Sequence, residues 1–299
     1  MTKQLPLPTS GSPLTPQRGF ALIELLVSAT VMLIVVGAAV SYISVSTQRS
    51  KAEQTKVDLT QEGREFVDEF ERDIHQAGYP GCALFNNLGR QNCAIAVNYN
   101  SPTLAVGLVS ISSTNVVFEG DVDGDGVVDS VQYRLVDSAT AYPPAGTCPC
   151  TIQRSQAPKA VGGIWPGLPY TQPVNWSQEL DNVVNSGVPV GNAAYGGGLS
   201  IAGNVLWGGT TNDAYYAAVT TFKDYPVFSA YDQGGIIVPL PLDNTTLGGR
   251  TALASIKSIR LTINLLGNAT TGYDLKTSVR PVVTLVGNGR RNNKMAEEN

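Results

Sequence analysis

The chain has 299 residues, of which 42% are hydrophobic and only 15% charged, with 31 Gly and 18 Pro. That composition fits a loop-rich, β-leaning globular protein, supplies enough apolar residues for a core, and excludes wholesale disorder. The formal net charge is −4 and no basic patch stands out, so nucleic acid is not expected as a partner.

Residues 1–19 are polar and rich in Pro, Ser and Thr. They contain Lys3 and Arg18 but no acid, so their removal leaves 18 basic against 24 acidic residues, a net of −6. From Phe20 to Val45 the chain reads FALIELLVSATVMLIVVGAAVSYISV, with Glu24 the only charged residue. As a helix rising about 1.5 Å per residue, this stretch crosses a hydrocarbon layer of roughly 30 Å. A secretory signal core is shorter, and an acid inside it weakens insertion. A carboxylate at the bilayer centre costs about 2.5 kcal/mol or more, which implies a partner for Glu24. Arg49, Lys51 and Lys56 follow the span closely, so the distribution of positive charge does not set the orientation.

The residues Arg18-Gly19-Phe20-Ala21-Leu22-Ile23-Glu24-Leu25-Leu26 resemble the prepilin signature of type IV pilins and type II secretion pseudopilins. The resemblance implies cleavage between Gly19 and Phe20 by a prepilin peptidase and N-methylation of Phe20. It also implies that Glu24 neutralises the N-terminal amine of a neighbouring subunit as helices pack into a filament. Two opposite charges attract strongly in a low dielectric, and each alone is expensive to bury. The head is then expected outside the inner membrane and afterwards in the pilus at the cell surface.

Beyond Val45 the sequence turns polar but stays helix-compatible to Ala77. Leu59, Gly63, Phe66, Phe70, Ile74 and Ala77 recur at three- and four-residue spacing, the stripe a helix needs to lie on a sheet. Gly78-Tyr79-Pro80-Gly81 is a strong stop. The lone histidine, His75, has no second ligand or nucleophile near it in sequence and is read as part of this helix. The segment Phe70–Cys82, with its Arg-Asp pair before an Ala-Gly-Tyr turn, is similar to the helix end of PilW-like minor pilins. Pro226–Asp232, Ile256–Thr262 and Thr277–Arg280 resemble later blocks of such proteins.

The remainder reads as β. Residues 103–118 and 130–136 are strand-like, Ile259, Leu261, Ile263 and Leu265 alternate with polar residues, and Val282 to Val286 makes a last strand. Between about 140 and 250, Gly-, Pro- and Asn-rich sequence predicts long loops and short strands; its glycine clusters lack the context of a phosphate-binding loop. The expected organisation is a leader over 1–19, a membrane-spanning half-helix over 20–45, an amphipathic half-helix over 46–77, a β-rich head over 78–287 and a flexible tail over 288–299. The expected fold class is α+β and pilin-like, a long N-terminal helix packed on an antiparallel sheet.

One constellation carries site chemistry: Asp121-Val122-Asp123-Gly124-Asp125-Gly126-Val127-Val128-Asp129. Asp121, Asp123, Asp125 and Asp129, with the Val127 carbonyl, match the first part of a calcium loop, and Gly126 permits its turn. The twelfth position holds Gln132 instead of a bidentate Glu, and the flanks read as strands, so the alternative is an acidic hairpin turn. Calcium is the only cofactor these residues suggest, and none is required. Four cysteines, Cys82, Cys93, Cys148 and Cys150, downstream of an export signal favour disulfides over zinc, with three connectivities open.

The sequence therefore predicts a structural minor pilin, whose partners are other pilins, prepilin peptidase, the inner-membrane assembly platform and the membrane. A type II secretion pseudopilin and a pilus-borne adhesin or binding module are the alternatives. No nucleophile–base set points to an enzyme.

Overall fold

The computed structural model describes residues 22–81, 101–136, 150–160, 175–185, 225–267 and 282–290. Gly19, Phe20, Cys82, Cys93, Cys148, the Thr277–Arg280 block and all of the expected tail after Arg290 lie outside them. The chain forms two compact units that divide the first helix, α1 (Leu22–Gln76), at Ser50.

In the first unit α1 is exposed on every side from Leu22 to Thr47, although its side chains are almost all apolar. Leu33 and Ile34, for example, are each 71% exposed. Two of its hydroxyls turn back on the helix itself: Ser28 donates to the Leu25 carbonyl and Thr30 to those of Leu26 and Val27. A helix apolar nearly all round, with the Ser28 and Thr30 hydroxyls satisfied by its own backbone, suits hydrocarbon.

In the second unit the strands follow as β1 (Leu108–Ile111), β2 (Asn115–Gly120), β3 (Asp129–Val136), β4 (Cys150–Pro158), β5 (Ser177–Val183), β6 (Phe228–Tyr231), β7 (Ile237–Val238) and β8 (Leu242–Asp243). A short helix, α2 (Leu247–Ser255), then precedes β9 (Ser258–Leu266) and β10 (Val282–Arg290). All belong to one sheet in the order β7-β6-β9-β5-β4-β3-β2-β1-β8, with β10 added on β9. Every pairing is antiparallel. Because β10 covers β9 from Ser258 to Leu266, β6 and β5 share the opposite edge of β9, at Ser258–Leu261 and at Leu265.

The expected helical stripe is the one that packs. Leu59, Gly63, Phe66, Phe70, Ile74 and Ala77 are buried, and Phe66 and Phe70 meet the Tyr133 ring edge-on at centroid distances of 5.9 and 5.3 Å. A Cβ on Gly63 would overlap Leu285 and lie 3.0 Å from Leu265, so the missing side chain is what lets α1 sit this close to β9 and β10.

Three sequence expectations change. The strand read over 103–118 is two strands with a turn, in which Ser112 donates its N–H to the Asn115 carbonyl. The last strand runs to Arg290, so the first residues of the expected tail, Asn288 to Arg290, are ladder residues opposite Arg260, Ile259 and Ser258. Gly287 and Gly289 hide that strand in the sequence, yet α1 requires them: a Cβ at either would come within 2.7 Å of Val67 or Ile74. Within the loop-rich region, β4 to β8 complete the sheet, and α2 forms behind Thr246, whose hydroxyl accepts the Gly249 N–H.

Candidate functional sites

The first site is the apolar half of α1. Glu24 stands in its first turn, where a carboxylate complements the positive end of the helix dipole. Among the described residues it forms no hydrogen bond or ion pair. Its neighbours Leu22, Ile23, Leu25 and Leu26 are all more than half exposed, so this one acid sits on an otherwise lipophilic surface. Among the described residues α1 is the one helix long and apolar enough to cross a membrane.

The second feature locks the other half of α1 to the head, and sequence reasoning missed it. Asp73, 1% exposed, accepts from the Tyr133 hydroxyl at 2.7 Å and from Arg154 Nε and Nη2, both at 2.9 Å. Arg154 Nε also donates to the Tyr133 oxygen at 3.1 Å. Burial, then the Asp73 charge, push the Tyr133 phenol well above its ordinary range, against the pull of Arg154. Burial alone would ease the proton off Arg154, but Tyr133 and Asp73 outweigh it and hold the guanidinium charged. The sequence placed Asp73 within an Arg-Asp pair, and Arg72 lies 3.9 Å from it; its closer partner Arg154 lies 81 residues away, beyond any local pattern.

The third site is the aspartate loop, which joins β2 to β3 as a hairpin. Asp121, Asp123 and Asp125 each present a carboxylate oxygen within 4.8 Å of the others. Backbone N–H groups hold them: Gly124 and Gly126 donate to Asp121, Asp125 to Asp123, and Val127 to Asp125. Gly124 and Gly126 have φ of 78° and 85°, a left-handed conformation that glycine adopts without strain. Asp129 stands apart from the three. It begins β3, is 5% exposed, and accepts from Gln156 Nε2 at 2.7 Å, while the same nitrogen reaches Asp123 at 3.4 Å. Burial raises the Asp129 carboxyl, the Gln156 bond opposes the rise, and the three neighbouring carboxylates add to it. Gln132 faces elsewhere and donates to Asn115 Oδ1 at 2.6 Å, so the twelfth position offers no ligand.

The base of this loop is anchored twice. Glu119 and Lys159 form an ion pair of 2.7 Å with side chains 1% and 0% exposed; Glu119 also accepts the Val106 N–H and Lys159 donates to the Leu104 carbonyl. Burial pushes the Glu119 carboxyl up and the Lys159 ammonium down, and each partner opposes the other's shift. The end of α1 supplies the second anchor. Gly78 N–H donates to the Glu119 carbonyl and Asp121 N–H to that of Tyr79, each at 2.8 Å. The Gln76 amide, its nitrogen toward the loop, donates to the Asp121 and Val122 carbonyls at 2.9 and 3.0 Å.

Cys150 is fully buried at the start of β4 and is disulfide-bonded; the other three cysteines lie outside the described residues. His75 is exposed in the last turn of α1.

Residues 14–40 match the family described as the prokaryotic N-terminal methylation motif, a segment that includes Gly19, Phe20 and Glu24. The chain thus carries a type IV pilin-like leader. No curated protein and no solved structure matches it.

Proposed function

We propose that this protein is a structural minor subunit of a type IV pilus, of the PilW-like kind, which joins the filament or primes its assembly through α1. The observation that carries the reading is the methylation motif over residues 14–40, whose part from Leu22 onward lies in an exposed helix half that carries one acid among apolar residues. Prepilin peptidase cuts between Gly19 and Phe20, Phe20 is methylated, and Glu24 stays in the membrane until the amine of a neighbouring subunit neutralises it. Its further partners are other pilins and the inner-membrane assembly platform, and the head faces away from the cytoplasm. The antiparallel sheet clamped on the second half of α1 supports a structural role over a catalytic one.

Two substitutions test this reading. Gly19→Ala leaves the precursor uncut. Glu24→Ala is cut normally but enters filaments poorly, and normal incorporation defeats the charge-pairing mechanism. A type II secretion pseudopilin shares the same leader and helix; loss of surface pili on deletion, with secretion intact, favours the pilus.

The convergence of Asp121, Asp123 and Asp125 supports a second property, weak calcium binding on the head. Calorimetric titration of the full chain in detergent checks it: absence of heat and of any melting shift at roughly millimolar calcium removes it. For the cysteines, the buried disulfide at Cys150 fits an oxidising compartment, and non-reducing peptide mapping identifies its partner among Cys82, Cys93 and Cys148.

A further inference from the structure

Three strands end the sheet laterally. β7 and β8 have two residues each, too short to template another strand. β10 has nine, and it pairs along its whole length with β9 on one side. Its Asn288 N–H faces away from β9, because it donates to Glu71 Oε1 at 2.7 Å. Antiparallel alternation therefore turns the N–H and C=O groups of Thr284, Val286 and Arg290 to the same outer edge. Among the described residues no backbone group pairs with that edge.

The side chains of Thr284, Val286, Asn288 and Arg290 are exposed, Val286 by 50%. Arg260, also exposed, stands on β9 in register with Asn288. Neither Arg260 nor Arg290 forms an ion pair among the described residues. Arg260 donates to the Tyr231 hydroxyl on β6, on the far side of β9, so among the described residues the edge combines an unpaired backbone ladder, an apolar step at Val286 and the Arg290 guanidinium at one end. Natural edges of this length are normally covered or blunted, and among the described residues the cover is Glu71 at one N–H.

We propose that β10 accepts an added strand from a partner protein. The partner contributes an extended segment with an apolar side chain against Val286 and, on the same face, a carboxylate against Arg290. Main-chain hydrogen bonds supply the adhesion, and the side-chain pattern sets the choice of partner. Glu71 caps Asn288 until the strand arrives and then yields that N–H.

The test uses the full chain in detergent micelles and a labelled peptide, Thr-Val-Thr-Val-Thr-Asp, whose Val and Asp side chains share one face when extended. Fluorescence anisotropy should show saturable binding, and replacing the peptide's Asp with Lys should weaken it roughly threefold or more, the range of a part-exposed charge pair. Val286→Pro removes an outward N–H, so it should abolish binding while sparing the β9 ladder and the melting temperature; Thr284→Pro serves as a second variant. Hydrogen exchange reads the edge without any substitution. The Val286 amide should exchange fast in the free chain and slow roughly tenfold with peptide, while Leu285 stays protected throughout.

A Val286 amide already protected in the free chain overturns the proposal. So does binding that survives both proline variants, or no binding at about 1 mM peptide. Self-association of the chain that Val286→Pro abolishes would make the occupant a second copy and overturn the assignment to a different partner.

Discussion

Replacing Lys159 by Met keeps the length of the buried side chain and removes its charge. The ammonium it deletes lies 2.7 Å from Glu119 and donates to the Leu104 carbonyl at 2.8 Å. Glu119 then keeps the Val106 N–H, at 3.0 Å, but is otherwise a carboxylate in an apolar setting. Breaking one side of a buried pair costs about 3–5 kcal/mol, which lowers the melting temperature by roughly 6–20 °C for a domain of this size. The loss should depend on pH. Burial already raises the Glu119 carboxyl, and the Lys159 charge and hydrogen bond pull it back; without Lys159 it rises further. A carboxyl raised in the folded state contributes stability below its unfolded pKa, about 4.3, and loses it as pH climbs through the folded value. Thermal melts from pH 7 down to pH 5 should therefore show the variant's deficit shrinking, and Lys159→Met with Glu119→Gln should recover most of it. A deficit under about 1 kcal/mol at pH 7, in the range of an exposed pair, refutes the reasoning, as does one that grows on acidification.

Tyr133→Phe deletes the hydroxyl that donates to Asp73 and accepts from Arg154, so denaturant melts should show a loss of about 1–3 kcal/mol. The raised phenol also predicts that wild-type stability declines as pH rises above about 10; the Phe variant should lack this residue's share of that decline. At Gly120 a Cβ would lie 2.6 Å from the Gln76 carbonyl oxygen, so Gly120→Ala should cost about 1–3 kcal/mol. Faster hydrogen exchange at the Gly78 and Asp121 amides, which bridge the helix end and the loop, would report the same displacement.

How far the sequence could be read depends on how local each signal is. The apolar half of α1 and its stripe from Leu59 to Ile74 are periodic, so one pass along the chain finds them. Asp73 stands in the sequence only as the acid of an Arg-Asp pair, because its buried partners come from β3 and β4, which the fold brings under the helix. β4 itself was illegible: in Thr-Ile-Gln-Arg-Ser-Gln both faces carry polar residues. Arg154 points to the helix network, and Ser155, 2% exposed, lies on the opposite face. The end of β10 was lost for a different reason. Gly287 and Gly289 read as a break in a strand, yet they are small because α1 crosses there. In each case the missing information is a contact between segments far apart in sequence.

The aspartate loop shows why spelling alone cannot separate a cation site from a turn. Two carboxylates 4.8 Å apart, the widest separation in the cluster, repel by about 0.9 kcal/mol in bulk water, so the three pairs sum to at least about 2.6 kcal/mol. Against this stand four backbone N–H bonds to the same acids, each contributing about 1.5–3 kcal/mol when the acceptor is charged. The bonds outweigh the repulsion, so the loop takes its shape from its own backbone. Gln156 then occupies the side of the cluster toward Asp129, between Asp129 and Asp123. A cation arriving here meets a formed loop, and its stabilising effect is set by its affinity for that loop and its concentration, as RT ln(1 + L/Kd) with L the free cation concentration. Sodium chloride relieves part of the carboxylate repulsion by screening. A calcium-induced melting shift therefore identifies a site only when sodium chloride at matched ionic strength fails to reproduce it.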